Sequence, residues 1–108
     1  MNDVNQSAEY SLGQIIKHSK FDYRGVIFDV DAEYSSTSEW YDNVATSKPP
    51  KDRPWYHVMV DNSDITTYVA ERHLQIADDC SVIQHPLIDV YFEDFIDGRY
   101  LLIHRQAQ

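Results

Sequence analysis

Along "WYHVMVD", residues 55–61, the side chains alternate: Tyr56, Val58 and Val60 fall on one face of an extended segment, with Trp55, His57, Met59 and Asp61 on the other. Asn62, Ser63 and Asp64 supply turn chemistry, and "ITTYVA" then resumes a strand, so this region predicts a β-hairpin. A second hairpin is predicted from Leu12 to Asp31, where two β-branched runs flank "SKFD". It places Val26, Phe28 and Val30 on one face and Ile27 and Asp29 on the other. Gly25, inside the second run, marks either a bulge or a point of close packing.

Between these hairpins, residues 31–54 form a connection longer than the ~12 to 15 residues normal for a structureless loop. Ser38 before "EWYDNVA" reads as the N-cap of a short helix, closed off by Pro49 and Pro50. Downstream, "AERHLQIAD" predicts a single turn leading into Leu74 and Ile76 as core residues. Leu87, Ile88, Tyr91, Phe92 and Phe95 then recur at helical spacing behind Pro86, which predicts an amphipathic helix stopped by Asp97 and Gly98. "RYLLI" adds a last strand or docks as a tail.

These elements predict a mainly β protein: a small antiparallel SH3-like β-barrel, with a long loop bearing a short helix and a C-terminal amphipathic helix. A ferredoxin-like α+β sandwich would need two long crossover helices, and the pattern shows one. The domain is expected to span residues 10–104, with flexible ends at 1–9 and 105–108.

Composition narrows the function. The 108 residues suit one domain, and 43% hydrophobic with 13% aromatic side chains is the composition of a folded chain. With 18 acidic against 9 basic side chains the formal charge is -9, so the average field repels phosphate backbones and anionic membranes. Cys80 is the single cysteine, the N-terminus lacks a secretory pattern, and no apolar run approaches the ~20 residues of a membrane span. A cytoplasmic protein without membrane contact is expected.

Candidate chemistry is sparse. His73, Cys80 and His85 match no zinc spacing, and neither a metal nor a cofactor is expected. Asp29, Asp31 and Glu33 share a strand face at period two, where they either hold a divalent cation or form a solvated edge; the solvated edge is the commoner outcome. With no nucleophile elbow, phosphate loop or "HExxH", no catalytic residue is expected and the chain is not read as an enzyme. His57 would act as a base only if a partner oriented it, and Asp61 is too far along the strand.

Two surface readings remain. If Tyr56, Val58 and Val60 fill the core, Trp55, His57 and Met59 face outward as a contact stripe for another protein, joined by Trp40 and Tyr41. The competing reading folds the long loop back, Trp40 or Tyr41 first, and buries that stripe within the chain. Basic residues gather at Lys17, Lys20 and Arg24 and at Lys48, Lys51 and Arg53. If they met they would form a DNA-contact patch, against the alternative of ordinary solvated cations.

The segments "GQIIKHSKFDYRGVIFDVDAEY", "PWYHVMVDN" and "TYVAERHL" together resemble the heat-shock protein HspQ family, also described as YccV-like or hemimethylated DNA-binding proteins. The resemblance runs from about Leu12 to Leu74 and continues less specifically through "HPLIDVYFEDFIDGRY". It implies a small β-barrel that assembles as a homo-oligomer, a trimer, in the bacterial cytoplasm. It also implies a non-enzymatic heat-shock role: promoting degradation of particular proteins, such as DnaA, by ATP-dependent proteases, notably Lon. Binding of hemimethylated DNA is the family's other described property. The family positions present here are Gly25, Asp29, Asp31, Tyr34, Trp55, Tyr56, His57, Tyr68 and Glu71. The strong acidity of this chain ranks the proteolysis role ahead of DNA.

Overall fold

The computed structural model describes residues 8–45 and 47–103. Both predicted hairpins form: β1 (Ile15–His18) turns back into β2 (Arg24–Asp31), and β3 (Trp55–Val60) into β4 (Thr66–Ala70). Asn62 takes φ 60 in the second turn, the left-handed backbone that Asn tolerates better than most residues. A 3-10 turn, Glu71–His73, carries the chain directly into β5 (Leu74–Ile76), which pairs with β1. The five strands make one antiparallel sheet in the order β4-β3-β2-β1-β5. β4 and β5 lie at its edges, so strand pairing among the described residues does not close a barrel.

Registers show where local patterning was interrupted. Ile27 faces Val58 and Asp29 faces His57, which leaves Phe28 as an extra residue in β2. A bulge shifts the alternation by one. Val30 therefore packs with Ile27 rather than with Val26 and Phe28, correcting the predicted face. Gly25 is the close-packing glycine, not the bulge: a Cβ there would lie 2.5 Å from both the Met59 carbonyl oxygen and the Val58 Cγ1.

The long loop carries α1 (Ser38–Val44), capped by Thr37, whose Oγ1 accepts from the Trp40 amide at 3.0 Å. The cap thus falls one residue before Ser38. Toward the C-terminus the predicted helix is corrected. Helical backbone lasts only for α2 (Ile88–Tyr91), and β6 (Phe92–Ile96) and β7 (Arg99–Leu102) follow as a hairpin. Asp97 and Gly98 have φ of 53 and 76, the paired left-handed residues of a two-residue hairpin turn, where the sequence reading had placed a helix stop. Phe92 and Tyr100 are buried against Ile15, Val26 and Met59, so the hairpin covers one face of the sheet.

Ile16, Ile27, Tyr56, Val58, Val69 and Leu74 form a second buried cluster, and both faces of β3 are consequently core. Ile76, expected inside, is 69% exposed on the short edge strand. Of the ends predicted to be flexible, residues 1–7 and 105–108 lie outside the described residues, as does residue 104 of the predicted domain, while the Glu9 amide donates to Glu71 Oε2 at 2.8 Å. No helix among the described residues is long and apolar enough to cross a membrane.

Candidate functional site: an aromatic groove beside an Asp–His–Tyr cluster

Trp55 begins β3 and is 1% exposed. Tyr34, Trp40, Tyr41 and Tyr68 pack around it, with the Tyr34 ring 5.0 Å and the Tyr68 ring 5.2 Å away by centroid. Its Nε1 donates to the Pro50 carbonyl at 3.1 Å, and the Tyr41 hydroxyl donates to the Pro49 carbonyl at 2.6 Å. These bonds pin the loop over the indole.

The outward stripe is therefore corrected. Met59 is 0% exposed beneath the β6–β7 hairpin, Trp55 lies under its own loop, and only His57 of the three reaches the surface. Trp40 and Tyr41 are the covering residues, as the competing reading had them.

His57 stands opposite Asp29 on β2 and Tyr68 on β4. Its Nε2 lies 3.2 Å from Asp31 Oδ2, which also accepts from the Tyr68 hydroxyl at 2.7 Å. The His57 ring packs at 4.5 Å from Tyr68. Burial, reinforced by the bond to Asp31, pushes the Tyr68 phenol well above its ordinary pKa, so it stays a proton donor. Sequence reasoning missed Asp31 as the partner of His57 and considered Asp61, which instead pairs with Arg24 at 2.8 Å. Cross-strand register was the needed signal, and it was hidden by the bulge.

Alongside this cluster runs a groove of about 440 Å³, walled by the β1–β2 turn, the outer side of β4 and the loop carrying α1. Trp40, Tyr68, Tyr23 and Phe21 give it an aromatic lining, and Phe21 and Val44 are 68% and 55% exposed. At its base His18 and His73 stack with centroids 5.6 Å apart, and His73 Nε2 meets Ser47 Oγ at 2.9 Å. His18 Nδ1 accepts from the amides of Lys20 and Phe21 at 3.0 and 3.1 Å, so that nitrogen is unprotonated. Burial, then the neighbouring cations, lowers the pKa of both imidazoles.

The remaining family positions are structural. The Tyr56 hydroxyl donates to Glu71 Oε2 at 2.6 Å and accepts from the Tyr10 amide at 3.1 Å, tying the N-terminal segment to the core. The cations considered for DNA are largely engaged within the chain. Lys17 pairs with Asp22, Arg24 with Asp61 and Lys48 with Asp42, while Lys20 lies over Phe21 and Lys51 over Tyr41. Arg53 is exposed. Of the considered zinc set, His73 is in the groove, the Cys80 thiol bonds to the Ala77 carbonyl, and His85 bridges Ile65 and Leu87.

Residues 8–99 match the family described as hemimethylated DNA-binding protein YccV like. The chain belongs to the YccV-like family. The YccV-like match contains α1, all five strands of the sheet, the groove and the Asp31–His57–Tyr68 cluster, and it ends on the first residue of β7.

Proposed function

We propose that this YccV-like chain is a non-enzymatic adaptor that promotes degradation of particular proteins, DnaA among them, by an ATP-dependent protease of the Lon type in the cytoplasm. The groove is the observation that carries this reading. Its lining is aromatic and apolar for the larger part, and it flanks β4, which is an edge strand of the sheet among the described residues. An extended polypeptide fits both features: strand edges supply main-chain hydrogen bonds and aromatic pockets take alternate side chains. The strand order, with a 3-10 turn joining β4 to β5, supports assignment as an SH3-like barrel. Exposed Val90, Ile96, Leu101 and Leu102 around the β6–β7 hairpin support a homo-oligomer, a trimer in our reading.

The test is a degradation assay with purified Lon and DnaA. Adding the protein accelerates loss of DnaA, and a Phe21→Ser variant, altered at an exposed groove position, does so markedly less. Equal stimulation by that variant removes the groove from the mechanism. The family description itself favours a second reading, binding of hemimethylated DNA. A clear preference for hemimethylated over fully methylated duplex at near-physiological salt would reverse the ranking. The formal charge of -9 supports the present order, as does the largely buried pairing of Arg24 with Asp61, which takes that cation out of reach of a phosphate backbone.

A further inference from the structure

We infer that Asp29, Asp31 and His57 form a binding site for a first-row divalent cation of the zinc class. Each offers one ligand atom, and the three atoms lie within 4.8 Å of one another; among the described residues this is the only such convergence of His, Cys, Asp and Glu side chains. The sheet builds the arrangement. Asp29 and Asp31 point to the same face at period two, and the bulge at Phe28 sets His57 directly across from Asp29. Without that bulge β2 would pair one residue out of step, and both carboxylates would face away from the imidazole.

The His57–Asp31 spacing fits two ligands of one ion. Two donors about 2.1 Å from a common zinc ion lie about 3.0 Å apart at a right angle and about 3.4 Å apart at the tetrahedral angle. His57 Nε2 and Asp31 Oδ2 are 3.2 Å apart, between those limits. Asp29 is exposed, accepts from the Val30 amide through Oδ1 at 2.9 Å, and offers the third ligand atom. The ion replaces the proton shared by His57 and Asp31: the ring binds through Nε2 and carries its single proton on Nδ1. Tyr68 supports the site from outside. Its hydroxyl holds Asp31 at 2.7 Å and its ring packs on the imidazole at 4.5 Å, as outer partners of metal ligands commonly do.

Donor chemistry selects the class. One imidazole with two carboxylates favours zinc, cobalt or manganese over calcium and magnesium, which prefer all-oxygen sets. The site lies at the groove's end, since His57 and Tyr68 also line the groove, but the inference does not depend on what the groove binds.

Isothermal titration of the full chain with Zn2+, repeated with Co2+ and followed by visible absorption, tests it. The expected result is one ion per chain, with a cobalt spectrum lacking the thiolate charge-transfer band that Cys80 would give. Asp29→Asn and His57→Gln should each abolish the saturable step, and Tyr68→Phe should weaken it about tenfold. Circular dichroism identifies any variant that has lost its fold, and the exposed Asp29 position keeps the test available if His57→Gln unfolds. The inference is overturned if the wild type takes up no stoichiometric ion at millimolar zinc, or if folded Asp29→Asn binds as the wild type does.

Discussion

Replacing Trp55 by Ala tests whether the loop that covers it is part of the core. The indole is 1% exposed and touches the rings of Tyr34, Trp40, Tyr41 and Tyr68, while its Nε1 holds the Pro50 carbonyl. Truncating a buried Trp to Ala costs about 3–5 kcal/mol, because packing contacts are lost and the cavity only partly collapses. Whole-domain stabilities are about 5–15 kcal/mol, so this one change removes a large share. For a domain near this size the melting temperature should fall by on the order of 15–25 °C. Trp55→Phe keeps a ring in place but leaves the Pro50 carbonyl without its donor, and should cost about 1–3 kcal/mol. Urea unfolding followed by far-UV circular dichroism measures both. Trypsin supplies a local readout at Lys51, the basic residue of the covering loop that is not followed by proline, which should be cut faster in the Ala variant. A Trp55→Ala protein with an unchanged midpoint and unchanged cleavage would refute the buried placement, because an exposed Trp would cost within about 0.5 kcal/mol.

Further predictions concern single backbone and titration features. Stability should decline as pH falls from about 6.5, the unfolded value for His, through the lower folded values of His18 and His73. Both imidazoles are held neutral in the fold and the unfolded chain binds their protons more readily; a flat urea midpoint between pH 7 and 5 would contradict this. Gly25→Ala should destabilise by about 1–3 kcal/mol through overpacking, since the added methyl meets the Met59 carbonyl oxygen and Val58 at 2.5 Å. Thermal melting decides it, and a neutral result would mean that β2 and β3 separate easily. Gly98→Ala should cost about 1–2 kcal/mol in the same assay, because φ of 76 is strained for any residue with a Cβ.

Several parts of the site were legible before folding was considered. Clean alternation in β3 and the turn residues 62–64 gave the hairpin, and Ser38 with Pro49 and Pro50 bracketed a helix in the long loop, one residue short of its actual cap at Thr37. Phe92 and Phe95 misled for a simple reason. Over a window of only a few residues, positions three or four apart fit a helix as well as one side of an irregular strand, and the Asp97–Gly98 pair serves either as a helix stop or as a hairpin turn. His57 was recognised as reactive only if oriented, but Asp31 is twenty-six positions away and meets it solely through strand pairing.

The chain's own periodicity and turn residues determine the β1–β2 and β3–β4 hairpins and the short helix between them, because those signals are local and need only neighbouring dihedral angles. Tertiary structure alone decided what covers each face. Alternation says that two sides of a strand differ; whether the second side meets solvent, a partner or its own loop depends on where distant segments come to rest. Here a hairpin settles on Met59, an aromatic loop on Trp55, and one extra residue in β2 aligns the carboxylates with His57.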